Sequence, residues 1–164
     1  MSSHATRGTI KLTVAGALLV GVIGGAGAAP VNRTAAIDTF SGVDEIVFAC
    51  TSSTTFVNMS GMSRTFTLGP GGNEEAAILF EASASLDGAE QFDTGFVRLT
   101  IDGVAQGPAD GTIPLIAVGE RGTHGFNWQS KPLTAGSHTA RVQWRTDLGS
   151  SFCVDARSLI VLHR

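Results

Sequence analysis

Residues 137–145, Ser-His-Thr-Ala-Arg-Val-Gln-Trp-Arg, decide the fold. Their apolar and polar side chains alternate, which puts two sets on opposite faces: His138, Ala140, Val142 and Trp144 on one, and Thr139, Arg141, Gln143 and Arg145 on the other. A period of two is typical of a β-strand that buries one face and leaves the other in solvent. This segment therefore predicts a sheet with one face in a hydrophobic core.

The preceding segment, residues 123–129, alternates in the same way and predicts a hairpin with 137–145. Folding back through residues 131–137 gives three opposed pairs: Trp128 with Ala140, Phe126 with Val142, and His124 with Trp144. In this register the apolar side chains share one face. The other face collects five planar polar side chains: Asn127, Gln129, Arg141, Gln143 and Arg145.

Further short strands are predicted upstream, over residues 44–50, 64–68, 75–86, 95–101 and 113–118, and one downstream, over residues 152–162. Asp102-Gly103 is a pair preferred in type I′ hairpin turns, because both positions need positive φ. Pro114 should keep its strand at an edge, and a break in alternation predicts a β-bulge near Arg157. Short strands separated by glycine-rich breaks predict an all-β fold, an antiparallel β-sandwich of the jelly-roll type.

Three blocks carry a resemblance: residues 96–104, 135–145 and 157–161. They are similar to blocks in secreted bacterial, actinobacterial-type β-sandwich proteins for which no activity is established. The resemblance implies a secreted β-sandwich and assigns a role to none of the residues.

The N-terminus predicts export. Arg7 and Lys11 precede an apolar run over residues 12–23, and Ala26-Gly27-Ala28 is a small-residue cleavage site. We therefore expect a signal peptide over residues 1–28, a flexible linker over 29–43 and a β-sandwich domain over 44–164, with the mature protein outside the cell. A retained membrane anchor is the alternative, but several glycines dilute the apolar run.

The charge of the chain limits the classes of binding partner, and its two cysteines predict a disulfide. The chain has a formal net charge of −3 and no basic cluster, which argues against binding to nucleic acid or to an anionic membrane. Two cysteines, Cys50 and Cys153, follow the leader. In an oxidising compartment an isolated pair usually forms a disulfide, and we expect one here.

Catalytic and metal-binding motifs are weak. His124, His138 and His163 lack metal-ligand spacing, so they are interpreted as residues at the rim of the core, with no metal or cofactor expected. No Gly-x-Ser-x-Gly motif is present. The carboxylates available to a glycosidase are Glu81, Glu90, Asp93, Asp102 and Asp155.

The sequence therefore predicts a secreted, non-catalytic module. This module either binds a surface glycan or a protein partner, or has a structural role at the cell envelope. Its candidate ligand-binding residues are Asn127, Gln129, Arg141, Gln143 and Arg145, because planar amides and guanidinium groups make paired hydrogen bonds. Trp128 and Trp144 are assigned to the core, with sugar stacking as the alternative. A small secreted hydrolase is the alternative function.

Overall fold

A computed structural model describes residues 39–71, 73–88, 91–108 and 112–163. Nine β-strands run through these residues: β1 (Thr39–Thr51), β2 (Val57–Leu68), β3 (Ala77–Asp87), β4 (Thr94–Ile101), β5 (Val104–Ala105), β6 (Ile113–Ala117), β7 (Arg121–Gln129), β8 (Gly136–Thr146) and β9 (Ser151–His163). The predicted signal peptide lies outside the described residues. The described residues contain no apolar helix of membrane-spanning length.

The strands form two antiparallel sheets. Sheet A has the order β1-β9-β3-β7, and sheet B has the order β2-β8-β4, with β5 and β6 sharing the far edge of β4. The chain changes sheet at six of the eight connections between these strands, the exceptions being β4 to β5 and β5 to β6, so most sequential neighbours lie in opposite sheets. This is the jelly-roll arrangement of a β-sandwich, and the predicted fold class is confirmed.

The core lies between the sheets and is filled by the inward-facing side chains of each strand. Leu99, Val142, Phe152 and Leu159 are fully buried. The alternation of β8 is confirmed, since His138, Ala140, Val142, Trp144 and Thr146 are all buried. Trp128 and Trp144 are 2% and 3% exposed, so both are core residues.

The predicted hairpin between residues 123–129 and 137–145 is wrong. β7 pairs with β3 in sheet A, whereas β8 pairs with β2 and β4 in sheet B. Trp128 lies opposite Ile78, and the Trp144 ring packs on Phe152 with 5.1 Å between centroids. Residues 130–135 are thus a crossover between sheets. The apolar sets of both strands still face one core, but from opposite sides.

Other local predictions are confirmed. Asp102 and Gly103 have φ of 51° and 83° at the turn between β4 and β5. β6, with Pro114, lies at an edge of sheet B. The β9 ladder is irregular beside Arg157, where its pairing shifts against both β1 and β3.

The first and last strands are covalently joined. Cys50 and Cys153 lie opposite each other in the β1–β9 ladder and form the predicted disulfide across 103 residues of sequence. β1 begins at Thr39 rather than Asp44, so residues 39–43 of the predicted linker belong to the strand. The rest of that linker lies outside the described residues.

Arg157 is the one buried arginine among the described residues. Its Nε donates to the carbonyl of Ser60 at 3.0 Å, and Nη1 donates to the carbonyls of Val47 and Asp155. Val47 and Ser60 lie where the ladders of β1 and β2 are irregular. The guanidinium therefore supplies hydrogen bonds to carbonyl groups that these irregular ladders leave unpaired.

We expect Trp144→Ala to lower the free energy of unfolding by about 3–5 kcal/mol, because it removes a large aromatic group from the packed core. The matched control is Arg141→Ala on the outer side of the same strand, which should change stability by less than about 0.5 kcal/mol. Denaturant unfolding of both variants measures the difference. Wild-type stability of Trp144→Ala would contradict the buried position of this ring.

Candidate functional site

The five residues predicted to form one ligand-binding row divide between two surfaces. Arg141, Gln143 and Arg145 lie on the outer face of sheet B, because they alternate with the buried residues of β8, which belongs to that sheet. Asn127 and Gln129 lie on the outer face of sheet A, because they alternate with the core-facing residues of β7, an edge strand of that sheet. A single row of all five is therefore wrong, for the same reason that the hairpin is wrong.

In sheet B, Arg141, Gln143 and Arg145 lie beside residues that the sequence did not group with them. These neighbouring residues occupy outward positions of β2 and β4 and of the loop before β2. We call this surface the arginine face and define it by seven residues: Phe56, Asn58, Phe96, Arg98, Arg141, Gln143 and Arg145.

Gln143 is the centre of the arginine face. It lies opposite Asn58 of β2 and Arg98 of β4 in the strand ladders. Its Oε1 accepts a hydrogen bond from Arg98 Nε at 2.7 Å, and its Nε2 donates to Asn58 Oδ1 at 2.8 Å. Two amides and one guanidinium are thereby joined in a row across three strands, and the bonds fix their orientation.

Two phenylalanines support the arginines of this face. Arg98 Cζ lies 4.2 Å from the ring centroid of Phe56. Arg145 Cζ lies 4.4 Å from the centroid of Phe96 and 5.4 Å from that of Phe56. Such stacking is attractive because the ring face is electron-rich. It also limits the conformations of the long arginine side chains.

The three arginines of the face differ in charge compensation. Arg145 Nη1 donates to Asp147 Oδ1 at 2.9 Å, which forms an ion pair. Arg141 Nε donates to the neutral Ser63 Oγ at 3.4 Å. Within the described ranges, neither Arg98 nor Arg141 forms an ion pair, so the face carries uncompensated positive charge.

Asn127 belongs to a different feature, an open groove of about 530 Å³ on the outer face of sheet A. Gly125 of β7 lines the groove, and a Cβ there would lie 2.8 Å from the carbonyl oxygen of Phe80, so a larger residue would require the backbone to shift. Glu81 and Ser158 supply a carboxylate and a hydroxyl, and Leu79 and Ile160 supply apolar walls. Gln129 lies beyond the groove and donates to Glu75.

Asp93 has a structural role that the sequence did not reveal. Its carboxylate is 1% exposed and accepts four backbone N–H groups at 2.7–2.9 Å: Oδ1 from Thr94, Asp147 and Leu148, and Oδ2 from Ser150. Burial alone would raise the pKa of this carboxyl, but the hydrogen bonds outweigh it and lower the pKa to about 2. The ionised group anchors the turn between β8 and β9.

His138 and Asp102 form a second structural pair at the rim of the core. His138 Nδ1 lies 2.6 Å from Asp102 Oδ2, and Nε2 lies 2.8 Å from the carbonyl oxygen of Thr134. The Thr134 carbonyl, followed by the Asp102 carboxylate, raises the pKa of His138 against the effect of burial. Burial acts to raise the pKa of Asp102, but the bonds from His138 and the Thr139 N–H lower it.

The remaining candidates for chemistry are dispersed. Asp93 and Asp102 are engaged in the structural hydrogen bonds just described, Glu81 lines the groove on sheet A, and Asp155 is exposed beside the irregular part of β9. Glu90 lies outside the described residues. In the part of the chain that the structure describes, no group of three or more His, Cys, Asp or Glu side chains is placed to hold a metal ion.

The sequence contained a signal for part of the arginine face. Val97, Leu99 and Ile101 alternate with Phe96, Arg98 and Thr100, so the outward position of Phe96 and Arg98 follows from period two alone. Their pairing with β8 does not follow, because Arg98 and Gln143 are 45 residues apart and Asn58 and Gln143 are 85 apart.

No family model matches the sequence, and no curated protein matches it. Among solved structures, the VP2 subviral particle of infectious bursal disease virus is similar, with a TM-score of 0.46 and 11% identity over 77% of this chain and 33% of the viral chain. The chain thus spans about a third of the viral protein's length.

Two domains of similar size also resemble the chain. The C-terminal domain of EclA, described as a sugar-binding protein, has a TM-score of 0.40 and 17% identity over 82% of this chain and 87% of its own. The CBM36-1 domain of a multidomain xylanase from the hindgut metagenome of Trinervitermes trinervoides has a TM-score of 0.35 and 12% identity over 74% and 96%. The class defined here is an all-β sandwich domain of the jelly-roll type.

We expect Asp93→Asn to lower the free energy of unfolding by about 2 kcal/mol at neutral pH, the equivalent of the pKa shift from 3.8 to about 2. Since the folded pKa is depressed, this contribution is present above the unfolded value and is lost as the pH falls toward 2. Denaturant unfolding from pH 7 to about pH 2 should show the gap between wild type and variant narrowing. A gap that stays constant over this range would contradict the ionised role.

His138 should act in the opposite direction. Because its folded pKa is raised, its contribution is full below the unfolded value of 6.5 and is lost as the pH rises through the folded pKa. We expect His138→Gln to be more destabilising at about pH 5.5 than at about pH 8.5. The control is His124→Gln, whose imidazole is half-buried on β7. An equal effect at both pH values for His138→Gln would argue against a charged imidazolium.

Proposed function

We propose that this chain is a non-catalytic binding domain that recognises a glycan through the arginine face. The observation that carries the proposal is the row Asn58–Gln143–Arg98, in which hydrogen bonds hold two amides and a guanidinium in fixed orientations on one open face. Sugar hydroxyls both donate and accept hydrogen bonds, and planar amides can match both roles.

The shape of the arginine face favours an extended ligand over a small molecule. The face is the open outer side of a sheet, and its β8 residues run from Arg141 to Arg145. These β8 positions span roughly 13 Å at about 3.3 Å per residue, and the row Asn58–Gln143–Arg98 crosses three strands. The half-buried rings of Phe56 and Phe96 add apolar area for the C–H groups of a sugar.

The proposal places the domain outside the cytoplasm, as the predicted export signal does. The disulfide between Cys50 and Cys153 supports this location, because such bonds persist mainly in oxidising compartments. The EclA and CBM36-1 likenesses concern the fold; the proposal rests on the arginine face.

Binding to a panel of soluble polysaccharides tests the proposal, measured by affinity electrophoresis and calorimetry with the purified protein. Asn58→Ala and Gln143→Ala should each weaken binding by about 2- to 10-fold, the range for a lost hydrogen bond of 0.5–1.5 kcal/mol. Unfolding melts of the same samples show that the loss is not caused by unfolding.

The matched control is Asn127→Ala with Gln129→Ala. It removes the same kinds of amide from the outer face of sheet A and should leave glycan affinity unchanged. Absence of binding to every polysaccharide in the panel would refute the proposal. An equal loss of affinity in the control would show that the glycan contacts sheet A and would contradict binding at the arginine face.

A further inference from the structure

We propose that the arginine face selects acidic glycans, in which sugars carry carboxylate or sulfate groups. This inference rests on the proposed function and specifies the ligand class of the same face. Its basis is the way in which Arg98 and Arg141 are held.

In Arg98 and Arg141, the hydrogen bond that orients the guanidinium uses Nε. Arg98 Nε donates to Gln143 and Arg141 Nε donates to Ser63, at 2.7 and 3.4 Å. Among the described residues, no carboxylate pairs with either group, so their terminal Nη donors remain available to a ligand. A guanidinium has paired N–H donors that match the two oxygens of a carboxylate or sulfate.

Arg98 and Arg141 are also diagonal neighbours across the β4–β8 ladder. Arg98 lies opposite Gln143, and Thr100 lies opposite Arg141. Positions related in this way are about 7–8 Å apart. Two positive charges on side chains that start from neighbouring positions repel each other, and an anion bound between them reduces the repulsion. Arg145 does not need such a ligand, because Asp147 already neutralises it.

The positive charge of this face is local. The whole chain is acidic, with a formal net charge of −3. A general attraction for polyanions therefore does not arise from net charge. Recognition of an acidic polymer requires direct contact with the arginine face, which predicts dependence on particular arginines as well as on salt.

The experiment compares three probes: polygalacturonate, which carries carboxylates; dextran sulfate, which carries sulfates; and neutral dextran. Affinity is measured by calorimetry at low salt and at about 0.5 M NaCl. We expect at least one acidic polymer to bind about tenfold or more tightly than neutral dextran, and its affinity to fall with salt. The stronger of the two acidic probes identifies the anionic group.

Arg141→Gln is the decisive variant, because Arg141 is exposed and its loss leaves the core intact. It should weaken binding of the acidic polymer about tenfold, and Arg98→Gln should act in the same direction. The matched control is Arg121→Gln on sheet A, which makes the same change in charge at an arginine 4.0 Å from Asp87. Arg121→Gln should retain wild-type affinity.

Four outcomes would overturn the inference. Binding of neutral and acidic polymers with equal affinity, lost in Gln143→Ala, would reject acidic selectivity while preserving glycan binding. Equal weakening by Arg121→Gln, or equally tight binding of duplex DNA, would show a non-specific charge effect. Failure to bind any polysaccharide would reject both this inference and the proposed function.

Discussion

The structure depends on the four hydrogen bonds that the buried carboxylate of Asp93 accepts. They join the start of β4 to the turn after β8, and the Asp93 carbonyl also accepts the N–H of Val118 after β6. At this corner the chain passes from one sheet to the other. Unpaired buried N–H groups would lower the stability of the fold. At this corner the ionised Asp93 carboxylate accepts hydrogen bonds from the N–H groups and keeps them paired.

The position of this corner matters for the arginine face. β4 and β8 carry Phe96 and Arg145, which lie opposite each other near the Asp93 turn. Asp147, the ion-pair partner of Arg145, donates its own backbone N–H to Asp93. The geometry of one surface arginine therefore depends on a buried carboxylate, so that core and surface share one network.

Period-two alternation predicted which side chains are buried but not which strands pair. In β7 and β8 the inward residues were correct, whereas the hairpin between them was wrong. The physical reason is that a hairpin and a crossover between sheets bury the same apolar set. Burial cannot distinguish them; the choice is made by long-range pairing of β7 with β3 and of β8 with β2 and β4. The Asp102-Gly103 turn was predictable because its φ requirement is local.

At the candidate site too, alternation within one strand was predictable and pairing between distant strands was not. Arg141, Gln143 and Arg145 were recognised because they alternate within one strand. Asn58 and Arg98 were missed because their contacts with Gln143 cross strands that are distant in sequence. The sequence places Asp93 only among the carboxylates available to a glycosidase, and nothing in its sequence context distinguishes a buried carboxylate from an exposed one. Backbone donors that converge from separate turns define this role.

The disulfide has a mechanical consequence. Thr39 lies beside His163 at one end of the β1–β9 ladder, and Cys50 is bonded to Cys153 near the other end. A force that pulls Thr39 away from His163 would break the β1–β9 ladder pair by pair from that end. The separation would stop at the disulfide. Strands β2 to β8 lie entirely within the closed loop. Tension applied through the start of β1 and the end of β9 would therefore pass through the disulfide and not through the arginine face. The arginine face would stay folded while those two strand segments separate.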